Sequence, residues 1–149
     1  AAILANRGFY YTPHIIKKIS GKEKIDSNFT KKKFCTIEKK NFTPIIKGMK
    51  KVVTGAEGTG RNAEITGIEI CGKTGTAQNP HGEDHSIFIA FAPIQNPKIA
   101  IAVYVENGGW GSTWAAPIAT LMIEQYLTDS ITNKIQERFI LEGNLISKR

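Results

Sequence analysis

Three stretches between residues 68 and 106 decide the fold: I-E-I-C-G-K-T-G-T-A-Q (68–78), S-I-F-I-A-F-A-P-I (86–94) and K-I-A-I-A-V-Y-V-E (98–106). Such short runs, rich in β-branched and aromatic residues, are typical of strands. Only Q-N-P (95–97) joins the second run to the third, whereas parallel strands need a crossover of a dozen or more residues. We therefore predict strands at Ile68 to Gln78, Ser86 to Ile94 and Lys98 to Glu106, the last two antiparallel.

Both faces of the second and third strands carry apolar residues, which predicts that the sheet is covered on both sides. The small residues share one parity of residue number and are therefore predicted to share one face: Ala90, Ala92, Ala100 and Ala102. We expect this alanine-bearing face to receive a helix at Thr113 to Leu127. That helix presents alanines of its own: Ala115, Ala116 and Ala119. Pro117 fits it only within the first turn.

The segment before the strands predicts a second helix. Thr43 can serve as its N-cap and Pro44 as its first helical residue. Gly55 ends it. Its apolar side chains form one stripe: Ile45, Ile46, Met49, Val52 and Val53. A glycine-rich connection (55–67) leads on to the first strand.

The N-terminal part is less regular. Residues 1–6 are typical of a helix end, and Phe9 to Ile19 predict a strand that could join the same sheet, with Pro13 directing it to an edge. Residues 20–33 are polar and lysine-rich, which predicts a loop or a poorly ordered hairpin. The pattern as a whole predicts an α+β fold, an antiparallel sheet flanked by helices.

Composition excludes several classes of protein. With 41% hydrophobic and 22% charged residues, the chain is neither collagen-like nor of low complexity nor wholly disordered. No apolar run approaches the ~18–20 residues of a membrane span. Cys35 and Cys71 are too few for a disulfide scaffold and too far apart for C-x-x-C chemistry. We expect buried free thiols, although a single disulfide remains open.

The net charge of +7 is uneven. Residues 1–51 hold 13 basic and three acidic residues, and residues 52–149 hold seven basic and ten acidic ones. A basic half can mark a nucleic-acid or anionic-lipid surface. Lysines dominate here, however, without arginine forks or a recognition-helix pattern. A solvated face is the better interpretation, and we predict no nucleic-acid partner.

Residues 67–74, G-I-E-I-C-G-K-T, match the phosphate-binding pattern G-x-x-x-x-G-K-[ST]. In that interpretation Lys73 would contact outer phosphates and Thr74 a magnesium ion. The variable positions alternate like a strand, however, and the following G-T-A-Q-N-P-H-G cannot form the required helix. An anion- or nucleotide-binding module at Gly67 to Thr74 is therefore the alternative function.

The strand itself supports a different interpretation. A strand that carries K-T-G-T presents Lys73, Gly75 and Ala77 on one side and Thr74 and Thr76 on the other. Gly75 leaves room for a peptide against the strand edge. The lysine and the threonine hydroxyls could bind a carboxylate, and the N–H near Thr76 could face an oxyanion. The pattern resembles the K-T-G element of penicillin-interacting serine enzymes.

Two other groups of residues invite a functional interpretation. His81, Glu83, Asp84 and His85 could ligate a metal, but Pro80 and Gly82 make a solvated turn the better interpretation. We predict no metal site and no cofactor. Trp110 and Trp114 flank G-S-T before the last helix, where packing is the default and a place at the mouth of a substrate groove is the alternative.

An ordered series of segments resembles the C-terminal part of class B penicillin-binding proteins, of the cell-elongation type. The series comprises A-I-L-A-N-R-G-F-Y-Y-T-P-H, F-T-P-I-I-K-G-M, C-G-K-T-G-T-A-Q-N-P, H-S-I-F-I-A-F-A-P, A-V-Y-V-E-N-G and W-A-A-P-I-A. The resemblance covers residues 1 to about 128. It implies the C-terminal portion of a penicillin-binding/β-lactamase-like transpeptidase domain at 1–128, followed by a tail at 129–149.

The resemblance implies a peptidoglycan D,D-transpeptidase that acts on stem peptides and is acylated by β-lactams. Lys73, Thr74, Gly75 and Thr76 would be the substrate-binding residues. The family's S-x-x-K and S-x-N motifs are absent from this sequence, and we expect them upstream. The chain is therefore expected to be a fragment with no catalytic residue of its own, inactive alone.

Localisation and partners also follow from the resemblance alone. We expect the parent protein at the periplasmic face of the bacterial inner membrane, held by an anchor outside this chain. Its expected partners are stem peptides, β-lactams and membrane proteins of cell elongation. Half of the usual partner surface would be missing from such a fragment, so exposed apolar patches are expected.

Overall fold

A computed structural model of the chain describes residues 1–17, 20, 21 and 25–145. Its main sheet has three strands: β3 (Cys71–Ala77), β4 (His85–Ala92) and β5 (Ile99–Val105). Both neighbouring pairs are antiparallel, in the order β3-β4-β5. The α+β class and the three predicted strands are confirmed. β3 and β5 are shorter than predicted at both ends, and β4 begins one residue earlier and ends two residues earlier than predicted.

Five helices accompany the strands in the described part of the chain: α1 (Ala2–Ala5), α2 (Ser27–Thr30), α3 (Phe42–Thr54), α4 (Ala115–Thr128) and α5 (Lys134–Leu141). Two further strands, β1 (Phe9–Tyr10) and β2 (Lys33–Phe34), pair antiparallel in a sheet of their own. The last helix occupies the predicted tail, where Phe139 stacks on Trp114 with ring centroids 4.9 Å apart.

The core has a cluster of buried side chains on each face of the main sheet. On one face α4 covers Phe88, Ala90 and Ala92 through its own alanines and Ile123. On the other, α1 and α3 contribute Ala5, Phe42, Ile46 and Met49 around Cys71 and Phe91. Each face therefore follows the alternation of side chains along β3 and β4.

The predicted alanine face is wrong in part. The register of β4 and β5 pairs Phe91 with Ala100 and Ile89 with Ala102. In antiparallel strands directly opposed residues share a face, so the alanines of β5 lie opposite those of β4. On β5, the residues Ala100, Ala102 and Tyr104 are exposed. The prediction that both faces are covered is therefore correct for β4 but wrong for β5.

The predicted N-terminal strand is also wrong in length and partner. β1 ends at Tyr10 and pairs with β2 rather than with the main sheet. Pro13 has no N–H to continue a ladder, and Ile15 and Ile16 lie exposed. The end of that prediction, at residues 18 and 19, lies outside the described residues. Within the predicted lysine-rich loop, Ser27–Thr30 form one helical turn capped by Asp26.

The two long helices end close to their predicted limits. α3 begins at Phe42, and Thr43 is therefore not its N-cap. A 3-10 turn (Lys39–Asn41) runs directly into it with Asn41 in helical conformation, so the chain enters the helix earlier. Gly55 follows the last residue, as predicted. In α4, Pro117 lies in the first turn, where a missing N–H costs nothing.

Candidate functional site

The G-K-T-G-T segment lies within β3, at one edge of the main sheet. Lys73 is opposite Ile89, Thr74 opposite Phe88, Gly75 opposite Ile87 and Thr76 opposite Ser86. Because Phe88 and Ser86 lie on the α4 side, the threonines face α4, and Lys73 and Gly75 face the side of α3. The predicted alternation of these four residues is confirmed. Whether they bind a substrate stays a prediction.

Lys73 lies beside a groove between α3 and β3, of about 460 Å³. The other residues that line the groove are Gly48, Lys51, Val52, Gly55, Glu57, Gly58 and Thr59. Its Nζ donates a hydrogen bond to the Thr74 carbonyl oxygen at 2.7 Å. None of the ion pairs found among the described residues involves this ammonium. An exposed, unneutralised lysine on an edge strand is suited to a carboxylate ligand.

Thr74 is half-buried and joined to the loop that precedes β3. Its Oγ1 lies 2.8 Å from Oγ1 of Thr59, and either hydroxyl could donate. Thr59 belongs to the glycine-rich connection (55–67) and was not among the predicted substrate-binding residues. The signal that could have identified it is a lone threonine between two glycines, G-T-G (58–60).

Thr76 lies next to the segment that begins α4. Ser86, opposite Thr76 and fully buried, donates from Oγ to the Trp110 carbonyl at 2.9 Å. The same Oγ accepts from the Ala115 N–H at 3.1 Å. This serine therefore attaches the start of α4 to the sheet beside the candidate site, a role that strand alternation alone did not reveal.

Gly111 lies directly against β3 at Gly75. A Cβ at Gly111 would lie 2.6 Å from the Gly75 carbonyl oxygen and 2.4 Å from that of Ile87. Backbone therefore crosses the sheet there at a distance that only glycine permits. At Gly75 an added Cβ would approach Ile87 at 3.3 Å. The glycine-rich run G-G-W-G-S-T (108–113) was the available signal.

The His81–His85 hairpin uses its polar side chains within the turn. Asp84 accepts from the Asn79 N–H at 3.1 Å, and His85 Nδ1 accepts from the Asn107 N–H at 3.1 Å. Among the described residues no group of three or more His, Cys, Asp or Glu could hold a metal ion. The solvated-turn interpretation accounts for this segment.

The two tryptophans differ. Trp110 is 74% exposed, next to Gly111, whereas Trp114 is buried against Phe139. Packing therefore accounts for the position of Trp114 but not for that of Trp110.

The two cysteines are both free thiols, of which Cys71 is buried and Cys35 is half-buried. Burial raises the pKa of the Cys71 thiol to about 11.

A second cavity lies near the start of β3 and the end of β4, lined by Arg7, Lys47, Lys50 and Glu69 among others. The Arg7 guanidinium donates to the carbonyls of Ala5 and Ile94. Lys50 pairs with Glu69, and that hydrogen bond raises the pKa of its ammonium. Arg7 and Lys50 therefore already have partners and serve the fold.

The phosphate-loop alternative does not fit the structure. Lys73 and Thr74 lie inside a seven-residue strand that continues to Ala77. A phosphate loop needs a helix to begin there, so that backbone N–H groups converge on the anion. Gly67 to Thr74 therefore do not form a nucleotide site.

Residues 1–124 match the family model described as "Penicillin binding protein transpeptidase domain". The chain belongs to this transpeptidase family. Peptidoglycan D,D-transpeptidase MrdA of Haemophilus influenzae is 35% identical over 87% of this chain and 23% of that protein. PbpA of Mycolicibacterium smegmatis is 32% identical over 87% of this chain and 28% of its own length.

Solved transpeptidase structures agree with the fold. Pseudomonas aeruginosa PBP2 in complex with WCK 5153 superposes with a TM-score of 0.70 at 38% identity, covering 86% of this chain and 28% of that one. Penicillin-binding protein A of Mycobacterium tuberculosis, as an imipenem acyl-enzyme complex, gives 0.66 at 31% identity, covering 85% and 28%. The predicted resemblance, including the PBP2 type, is confirmed. This chain spans about a quarter of the length of such transpeptidases.

No helix in the described part of the transpeptidase chain has the length and apolar character to cross a membrane.

Proposed function

We propose that this chain is part of a peptidoglycan D,D-transpeptidase that cross-links stem peptides by serine acyl transfer and is acylated by β-lactams. The observation that carries the proposal is G-K-T-G-T on a sheet-edge strand in a chain of this family. An extended peptide can add to such an edge through main-chain hydrogen bonds, while neighbouring side chains recognise its end.

In the proposed reaction a serine outside this sequence attacks the carbonyl carbon between the two D-alanines of a stem peptide. The C–N bond breaks, and the terminal D-alanine leaves as an amine that takes up a proton. An amine of a second stem peptide then attacks the acyl-serine ester. A new amide forms, the amine loses a proton, and the serine recovers its hydroxyl. A β-lactam also forms an acyl-serine ester, through opening of its ring, but this adduct reacts further only slowly.

Lys73 and the hydroxyls of Thr74 and Thr76 are proposed to bind the terminal carboxylate, and Gly75 to leave room for the peptide. The Thr76 N–H is proposed to share an oxyanion hole with the N–H of the serine. One such donor contributes about 2.7–4 kcal/mol to transition-state stabilisation. A ligand carboxylate left without its cation costs about 2–5 kcal/mol at comparable interfaces.

The chain alone is proposed to be inactive, because none of its serines has the S-x-x-K spacing and it contains no S-x-N. The parent protein is proposed to act at the periplasmic face of the inner membrane, through an anchor outside this chain. Membrane proteins of cell elongation are its proposed partners there.

Lys73→Ala tests the proposal in the longest gene product that contains this chain. We expect acylation by a penicillin to slow by about 30-fold or more, the lower end of the cost of an unpaired carboxylate. Intact-mass spectrometry over time measures the single adduct. The 149-residue chain, incubated in parallel, is expected to gain no mass.

Lys98→Ala is the matched control, because Lys98 is exposed just before β5 and far from the edge that carries Lys73. It should be acylated at the wild-type rate, and both variants should keep the wild-type unfolding midpoint. Unchanged acylation of Lys73→Ala, or an adduct on the isolated chain, would contradict the proposal.

A further inference from the structure

The loop between α3 and β3 is rigidly attached to the end of α3. The Gly55 N–H donates to Lys51 O at 2.8 Å, and the Gly60 N–H donates to Val52 O at 2.9 Å. The Gly58 N–H closes a turn onto Gly55 O at 2.9 Å. Both neighbours of Thr59 are therefore held by backbone hydrogen bonds, so the position of its Cα is fixed by the helix.

Close packing fixes the same loop. A Cβ at Gly58 would lie 2.3 Å from Val52 O, and one at Gly60 would lie 3.1 Å from a Val52 methyl. Gly60 is buried against Phe88, the residue opposite Thr74. Thr59 itself is exposed, so its side chain contributes little to the core. Its one hydrogen bond in the described structure joins Oγ1 to Thr74 Oγ1 at 2.8 Å.

This contact bears on the chemistry of Thr74. A threonine hydroxyl has one proton to donate and two lone pairs. To bind a carboxylate, the Thr74 O–H must donate to it, which leaves its oxygen free to accept from Thr59. In this arrangement the Thr59 hydroxyl donates to Thr74 Oγ1, and the Thr74 hydroxyl donates to the carboxylate. Both protons are then oriented, and the two successive hydrogen bonds strengthen one another.

We propose that Thr59 is a positioning residue, which orients the Thr74 hydroxyl toward the carboxylate of a stem peptide or β-lactam. This inference rests on the proposed function. Thr59 acts through Thr74 and makes no contact with the ligand's carboxylate. Its contribution therefore depends on the Thr74 hydroxyl and on a ligand that carries the carboxylate.

Thr59→Val in the longest gene product that contains this chain removes the hydroxyl and keeps the shape. We expect penicillin acylation to slow by about 3- to 10-fold, the range that one net hydrogen bond of ordinary strength gives. Thr59→Ser should recover most of the rate. The methyl ester of the same penicillin lacks the free carboxylate and is expected to acylate the wild type slowly. Thr59→Val should not change that slow rate. A purely structural role would slow both compounds alike.

A double-mutant cycle with Thr74→Val tests whether Thr59 acts through Thr74. The double variant should be no slower than Thr74→Val alone. If Thr59→Val slows acylation equally in the Thr74→Val background, Thr59 acts independently of Thr74 and the inference is wrong. Should Thr59→Val not fold, Thr59→Ala replaces it in the same comparisons.

Two reference variants separate this inference from the proposed function. Thr54→Val removes a hydroxyl that donates to Lys50 O within α3, and this variant should be acylated at the wild-type rate. If Lys73→Ala slows acylation but Thr59→Val does not, the inference alone fails. If Lys73→Ala is acylated at the wild-type rate, the proposed function is wrong, and the inference that rests on it is wrong as well.

Discussion

Cys71 precedes the K-T-G-T segment by two residues and shows how burial changes one side chain. It lies fully buried between α3 and the sheet, where its Sγ is 3.4 Å from Ile46 O. An apolar environment disfavours the thiolate, which is why the pKa of this thiol rises from 9.0 to about 11. At neutral pH the thiol is protonated and inert.

The raised pKa of Cys71 predicts a pH dependence of stability. Between pH 9 and about 11 the thiol of the unfolded chain loses its proton while the folded one keeps it. The folded state then binds more protons, so this group's contribution to the free energy of unfolding decreases as pH rises through that range. Denaturant unfolding at pH 8 and pH 10.5 measures it.

Cys71→Ala is the reference for that measurement, because lysines and tyrosines titrate in the same range. The difference in unfolding free energy between wild type and Cys71→Ala should shrink at pH 10.5. A difference that stays constant or grows would contradict the assigned direction of the shift. The half-buried Cys35 should be alkylated faster than Cys71 at pH 8.

At the scale of elements, two glycines predict opposite results for the same change. Gly111→Ala would place a Cβ within 2.6 Å of two strand carbonyls, and overpacking of this kind costs about 1–3 kcal/mol. Gly48→Ala, in the middle of α3, would meet nothing within 4 Å. Alanine there should stabilise by about 0.4–1 kcal/mol. Thermal or denaturant unfolding of both variants measures the two signs.

Equal effects of the two substitutions would contradict the close approach of the 110–112 segment to β3. The comparison also bears on the candidate site, because Gly111 covers β3 at Gly75. A destabilised Gly111→Ala that still folds should therefore be acylated more slowly in the longer gene product.

At the scale of the molecule, β5 is the second edge of the main sheet, and its outer face is open. Tyr104 is 54% exposed beside Ala100 and Ala102. Long edges with apolar side chains are ready templates for pairing with another chain. We predict that the isolated chain self-associates, with a mass that rises with concentration in light scattering after size exclusion.

Tyr104→Lys should reduce that association, because charge on an edge strand opposes pairing. Tyr126→Lys is the control, since Tyr126 is also largely exposed, at 62%, but lies on α4. A constant monomer mass in the wild type, or equal effects of both substitutions, would show that β5 is not responsible.

The sequence by itself determined the elements whose causes are local. Alternating apolar runs and a three-residue turn predicted β3, β4 and β5 and the antiparallel pairing of the last two. Proline and glycine placed both ends of α3, and Pro117 the start of α4, to within two residues. The order K-T-G-T along a strand predicted which of Lys73, Thr74, Gly75 and Thr76 share a face, because that alternation is a property of the backbone.

Only the tertiary structure decided what depends on register and on distant contacts. The pairing of Phe91 with Ala100 moved the alanines of β5 to the face opposite those of β4, which parity along one strand cannot reveal. β1 ended at Tyr10, where its pairing with β2 stops, and Pro13 has no N–H to extend the ladder. The contacts of Thr59 with Thr74 and of Gly111 with Gly75 join residues 15 and 36 positions apart. Folding creates such contacts, so no local pattern contains them.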